Sequence, residues 1–238
     1  MNKRYFSLAS ENNVANLSIY GDITSWEWYE SDVSSYTLSK QLENLDVEFI
    51  NVYINSYGGE VAEGLAIYNA LKRHKAKVTT YCDGFACSAA SVVFMAGDER
   101  IMSTASLLMI HNAWTYASGN ANELRKQADD LDVITQASIN AYMQEVTIDE
   151  DELKEMLDNE TWLSPQLALE KGFITTIINE KDSDKASQNV KKSLMKTILK
   201  VQENNNSLDI VSQEPSDPKE PEEPSQNMIG SFLNALTK

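Results

Sequence analysis

The alternation of apolar and polar positions divides the first three-quarters of the chain into short strands and helices. Residues 15–20 (Ala-Asn-Leu-Ser-Ile-Tyr) alternate with a period of two, the pattern of a half-buried strand. A helix is predicted over residues 35–45. Phe49 to Ile54 is a β-branched and aromatic run that predicts a second strand, closed by the paired-glycine turn Ser56-Tyr57-Gly58-Gly59. From Val61 to His74, apolar residues fall at 61, 65, 67, 68 and 71, near the 3.6-residue period of an amphipathic helix. Val78 to Cys82 predicts a third strand. Ser88 to Ala96, small and apolar throughout, predicts a buried helix. Strands alternating with helices through short turns predict an α/β domain with layered packing.

Further along, residues 121–146 predict a long helix with Leu124, Leu131, Ile134, Ile139 and Met143 near one stripe. Val146 to Leu157 and Pro165 to Lys171 predict two shorter helices. Pro165 stands at the first turn of the second and Gly172 just past its end, the residues expected at a start and a stop. A strand follows from Ile174 to Ile178.

Beyond about residue 180 the pattern changes. Residues 181–202 are basic and amphipathic, with Val190, Leu194, Ile198 and Val201 at helical spacing. Residues 203–227 interleave prolines (Pro215 to Pro224) with acids and are expected to be an extended, solvated linker. Residues 228–238 regain an amphipathic character through Met228, Ile229, Phe232, Leu233 and Leu236. The expected organisation is one domain over 1–180 and a largely disordered C-terminal tail carrying a short terminal helix.

Composition narrows the class of function. A hydrophobic content of 42% supports a real core, and a formal net charge of −16 repels nucleic acid phosphates and anionic lipid. No nucleic acid or membrane partner is expected. Cys82 and Cys87 fit no metal-ligand spacing and sit in apolar surroundings, which predicts buried free thiols and suits a reducing cytoplasm. The polar segment Met1 to Ser10 has no apolar stretch of signal-peptide length, and no stretch approaches a membrane span. Neither a metal nor a nucleotide cofactor is expected, since no Gly-Lys-Ser/Thr phosphate loop is present.

Three strings carry candidate chemistry. Gly84 to Ser91 places Ser88 among small residues, Met109 to Trp114 contains His111, and Ile54 to Gly59 ends in two glycines. A serine hydroxyl needs a neighbouring base to take its proton, and histidine needs a carboxylate to fix its tautomer. Backbone N–H groups must then meet the developing oxyanion. Gly59, with glycine's freedom of approach, and Ala89, at a helix start, are the candidate donors. Taken singly, each string has a plainer reading: a tightly packed helix, a turn, a satisfied core histidine. His74, in the basic Lys72-Arg73-His74-Lys75 run, reads as a solvated helix end.

Jointly the strings resemble the ClpP family of serine peptidases, and its phage and prophage branch in particular. The resemblance covers roughly residues 13 to 180 and rests on Ile54–Gly59, Asp83–Ser91, Met109–Asn112 and Glu160–Ser164. It implies Ser88 as nucleophile, His111 as general base, the amides of Gly59 and Ala89 as oxyanion hole, and Gly58 and Asn112 at the substrate. The implied fold is the ClpP/crotonase-like spiral of strand–strand–helix units, with residues 121–146 as a handle helix through which homo-oligomeric rings assemble. Family members place an aspartate two positions before an aromatic residue; that register falls on Glu160 ahead of Trp162, with Asp158 as the rival acid. Tyr57 stands where housekeeping relatives carry proline. The branch implies a head maturation protease that cuts scaffold or capsid precursor in the host cytoplasm or within the procapsid. Three other readings stay open: a degradative subunit working with a separate ATPase unfoldase, a catalytically inactive capsid-assembly protein, and a crotonase-type enzyme of acyl thioesters.

Overall fold

A computed structural model describes residues 6–11, 13–26 and 32–178, all within the unit Met1–Gln188. The second unit, Asn189–Lys238, and with it the segments expected at 181–202, 203–227 and 228–238, lies outside the described residues. Strands β1 (Phe6–Glu11) and β2 (Val14–Ile19) lead to helix α1 (Ser35–Glu43) and strand β3 (Phe49–Ser56). Helix α2 (Val61–Arg73), strand β4 (Lys77–Cys87) and helix α3 (Ala89–Phe94) come next, followed by strands β5 (Glu99–Ser103) and β6 (Leu107–Ile110). The long helix α4 (Ala121–Tyr142) precedes α5 (Glu150–Asp158), β7 (Thr161–Leu163), α6 (Pro165–Glu170) and β8 (Thr176–Ile178).

The sheet runs β1-β2-β3-β4-β5-β8, parallel from β2 onward, with β1 antiparallel at its edge. Strand β4 has two sets of partners. Its first half pairs with β5 through Thr79↔Glu99 to Cys82↔Met102, and its end pairs with β6 through Phe85↔Leu107 to Cys87↔Met109. A register irregularity between Ile54 and Ser56 lets β3 follow β4 around this bend. The result is a main sheet and a short second layer, β6 with antiparallel β7, branching from one strand.

One face of the main sheet supplies the core. Ala15, Leu17 and Ile19 on β2, Ile50, Val52 and Ile54 on β3, and Val78, Thr80 and Cys82 on β4 are buried at every second position. Ile67, Leu71, Val92, Val93 and Phe94 of α2 and α3 join the same core. The opposite face keeps half-exposed residues, including the stacked pair Tyr53–Tyr81 at 4.8 Å between ring centres. Cys82 and Cys87 are both buried and free.

Helix boundaries follow their caps. Asn120 accepts from the Asn122 and Glu123 amides while Glu123 reaches back to the Asn120 amide, a full capping box that starts α4. Asp149 caps α5 and Ser164 caps α6, where Pro165 takes the first turn. Gly172, at φ +82°, lets the chain turn after α6 at a point where a Cβ would lie 2.7 Å from the Thr147 amide.

Several boundaries differ from the sequence expectation, each for a tertiary reason. β4 extends to Cys87 because β6 offers Phe85 to Cys87 a second partner, so the small-residue string is strand as far as the serine. β5 and β7 were not predicted; β5 alternates weakly and β7 is three residues long. β1 forms in the polar N-terminal segment through its ladder with β2. α4 ends at Tyr142 and α5 begins at Glu150, so residues 143–149 are not helical. The expected α4 stripe is buried only at its C-terminal end, through Ile139; Leu124 and Ile134 are exposed, as is Val133.

Arg100 ties the far end of β5 to the later helices. Its buried guanidinium donates to Gly97 O (2.9 Å) and Phe173 O (2.9 Å) and pairs with Glu145 at 2.6 Å. Removing Arg100 leaves the Gly97 and Phe173 carbonyls without this donor and Glu145 with Lys72 as its remaining ion-pair partner among the described residues. Arg100→Ala is expected to lower stability by about 3 kcal/mol, read as an earlier urea midpoint for loss of far-UV circular dichroism.

Candidate active site

The end of β4 and the end of β6 bring Ser88 and His111 together. Parallel register pairs Cys87 with Met109, so the next residues of the two strands leave the sheet side by side. Ser88 N–H donates to Met109 O at 2.9 Å, which fixes this exit. His111 Nε2 then lies 2.8 Å from Ser88 Oγ. For the hydroxyl to donate to Nε2, the neutral ring carries its proton on Nδ1.

Ser88 is held in an unusual backbone conformation, φ 55° and ψ −128°, at the position preceding α3. A non-glycine residue at positive φ costs on the order of 1–3 kcal/mol and persists only where surrounding structure enforces it. Here the turn points the side chain out of the sheet toward His111 instead of into a helix cap; Ser88 makes no side-chain capping bond. The adjacent Cys87 is no rival nucleophile, because burial pushes its thiol up to about 11.

The two candidate acids are separated by strand register. β6 and β7 pair antiparallel as Leu108↔Leu163, Met109↔Trp162 and Ile110↔Thr161. One more step of the same register puts Glu160 opposite His111. Glu160 sits at φ 47°, a turn that breaks the strand at that point. Asp158 falls further back, where it accepts from the Asn112 side-chain amide at 2.7 Å. Burial pushes the His111 imidazole below its ordinary value of 6.5, and the Glu160 charge partly offsets this. Glu160 therefore acts on His111 through its charge, while Asp158 is engaged by Asn112.

Gly58 and Gly59 form the opposite wall. Gly58, at φ +98°, lies so close to the serine that a Cβ there would sit 2.7 Å from Ser88 Cβ and 2.9 Å from Ala89 N. Its amide is bonded to Ser56 Oγ at 3.0 Å. Gly59 bridges to Ile23 through the Gly58 carbonyl (2.9 Å) and the Glu60 amide (2.8 Å), which leaves its own amide outside that bridge. The Ala89 amide opens α3 and belongs to the first-turn donors that a helix cannot satisfy itself. Both amides border a cleft of about 660 Å³ that also contains Ser88, His111, Asn112, Trp114 and Tyr142.

Sequence reasoning named Ser88, His111, Gly58, Gly59, Ala89 and Asn112, and the fold brings all six to one cleft. Asn112 meets Asp158, a contact with no sequence signal. Reasoning from sequence missed the loop Asp22–Thr24 and the α4 residues Ser138 and Tyr142, which also line the cleft. The segment after His111 is only partly open to a substrate strand, because the Ala113 amide donates to Thr135 Oγ1 at 3.0 Å. Tyr57 is exposed and meets Phe85 edge-on at 5.5 Å; Phe85 meets Trp162 at 5.7 Å. His74 differs from its expected solvated state: half-buried, it accepts from the Ala76 amide and contacts Leu45 O.

A family model described as Clp protease matches residues 29–181, more than half of the chain. The chain belongs to the Clp protease family. Its α/β arrangement is the ClpP-like fold. Among curated proteins it is 35% identical over 133 residues to an ATP-dependent Clp protease proteolytic subunit of Deinococcus radiodurans, covering 55% of this chain and 65% of that one. It is 33% identical over 135 residues to the proteolytic subunit 1 of Prochlorococcus marinus, covering 56% and 69%. With that of Salinibacter ruber it shares 30% over 137 residues, covering 57% and 59%. The match therefore spans a little under two thirds of the first relative's length. Among the described residues of this Clp-family chain, no helix is long and apolar enough to cross a membrane.

With only two histidines in the chain, the His111 ring can be followed directly by NMR titration. Glu160→Gln removes the charge that favours the imidazolium and is expected to lower the His111 midpoint further below 6.5. Asp158→Asn is expected to leave it in place.

Proposed function

We propose that this chain is a serine endopeptidase that cleaves peptide bonds through an acyl-enzyme on Ser88. The observation that carries the reading is the 2.8 Å contact between Ser88 Oγ and His111 Nε2 inside the cleft. His111 takes the hydroxyl proton as Ser88 attacks, then delivers it to the leaving amine. Glu160 is the orienting acid, supported by its register opposite His111 and its effect on that ring. The Gly59 and Ala89 amides receive the oxyanion, and Gly58 lets the substrate backbone approach.

His111 pushed below its ordinary pKa stays neutral, and so able to accept a proton, at pH values where a free histidine is already charged. Burial of the catalytic base thus extends activity toward mild acid. Replacing Ser88 with Ala is expected to cut turnover by about four to six orders of magnitude with the fold unchanged by circular dichroism. Loss of fluorophosphonate labelling in the same variant separates a live enzyme from an inert assembly protein; equal labelling of Ser88→Ala and wild type would refute the assignment.

The setting best supported is degradative: a ring-forming proteolytic subunit working with a separate ATPase, a reading supported by similarity to ATP-dependent Clp protease proteolytic subunits. The apolar Leu124, Val133 and Ile134 exposed on α4 support contact between copies. A second reading places the same chemistry in phage head maturation, with scaffold or capsid precursor as substrate. Residues 182–238, beyond the family match, support it through their basic segment and acidic proline run. Deleting residues 203–238 separates the two: maturation predicts loss of incorporation into procapsids, whereas a degradative subunit keeps its ATPase-stimulated casein hydrolysis.

A further inference from the structure

Beside the nucleophile, two buried hydroxyls form a chain onto the serine's own carbonyl. Ser91 Oγ lies 2.6 Å from Ser88 O, and Tyr142 OH lies 2.7 Å from Ser91 Oγ. Ser91 and Tyr142 are only 2% and 1% exposed, so water cannot stand in for either group. Proton counting gives the chain a direction. The Ser88 carbonyl can only accept, so Ser91 spends its single proton there and must itself accept from Tyr142.

We infer that Ser91 and Tyr142 are positioning residues that fix the Ser88–Ala89 peptide and thereby aim the Ala89 amide at the oxyanion. The inference rests on the serine-peptidase reading above. A trans peptide plane holds its C=O and N–H in opposite directions, so fixing one fixes the other. Ser88 sits in a strained conformation that rotation of this peptide would relieve, and the hydroxyl is the shortest of three donors to the carbonyl, beside the amides of Ser91 (2.9 Å) and Val92 (3.4 Å). Rotation would turn the Ala89 N–H away from the cleft. Tyr142 is the last residue of α4 and packs edge-on against Phe173 at 5.9 Å between ring centres. The aim of the oxyanion donor is thereby tied to the seating of α4, the helix whose outer turns are exposed.

Tyr142→Phe deletes one hydroxyl and keeps the ring against Phe173; Ser91→Ala deletes the link, and Ser91→Thr restores a hydroxyl. The full chain is assayed with a peptidyl aminocoumarin amide ending in leucine, chosen for the apolar lining of Ala89, Val92 and Met109. The aldehyde of the same peptide serves as inhibitor, because its hemiacetal oxygen occupies the oxyanion position. Tyr142→Phe and Ser91→Ala are expected to lower kcat about ten-fold, less than the ~100-fold that losing a donor outright costs. KM and the acid limb of the pH profile stay in place. Aldehyde affinity falls in step with kcat, as transition-state affinity requires. The double variant loses no more than Ser91→Ala alone, because Tyr142 acts through Ser91, and Ser91→Thr recovers most of the rate.

Unchanged kcat and aldehyde affinity in both single variants would overturn the inference while leaving the peptidase reading intact. So would a loss shared equally by kcat and KM with a lowered thermal midpoint, the mark of simple packing damage. Should wild type and Ser88→Ala hydrolyse the amide equally slowly, the peptidase reading fails and this inference falls with it. If Tyr142→Phe does not fold, Ser91→Ala decides alone.

Discussion

The pairing of the last residues of β4 with β6 is the constraint on which the site depends. Cys87 opposite Met109, sealed by the Ser88 amide on Met109 O, decides that two residues distant in the chain leave the sheet as neighbours. Each is one position beyond its strand, where side chains are free of the ladder yet their backbones are still held. A serine on a flexible loop would have to pay rotamer and backbone entropy each time it met its base. Here that entropy is lost once, on folding.

Around this junction the chain accepts local strain to gain directed groups. Ser88 and Glu160, both non-glycine residues at positive φ, flank His111 from the ends of β4 and β7. Gly58 and Gly59 answer from the other side, where a Cβ at position 59 would strike Ile23 O at 2.0 Å. Two of the three described non-glycine residues at positive φ thus stand beside His111, the third being Asn13 between β1 and β2, while the sheet beneath keeps regular alternation and a close-packed face. The core of β2, β3 and β4 against α2 and α3 is what holds the strained turns in place.

Electrostatics in the cleft follow from the same geometry. His111 is half-buried and so resists becoming charged, and among the described residues the carboxylate that counteracts this is Glu160. Asp158, two residues away in sequence, is engaged instead by Asn112. A shift of one position in the β6–β7 ladder would set Asn159 or Thr161, neither of them an acid, opposite His111.

The order of strands and helices, the buried thiols, the glycine turn and the candidate serine and histidine were legible in the sequence, because each leaves a local trace: a period, a cap, a small-residue string. Hydrophobic alternation set β2 and β3 closely, and caps such as Ser164-Pro165 set α6. Tertiary partners decided the rest. The extension of β4 to Cys87 needed β6, and β1 and β7 needed β2 and β6, so no periodicity of their own could announce them. Leu124 and Ile134 carry the right spacing for a core face, yet both are exposed, with no element among the described residues covering them. Which acid faces His111, and that Tyr142 reaches Ser91 from fifty-one residues away, are consequences of register and packing. Sequence specified the chemical groups through local preferences; only the folded chain, by bringing remote strands into one register, specified which of them meet.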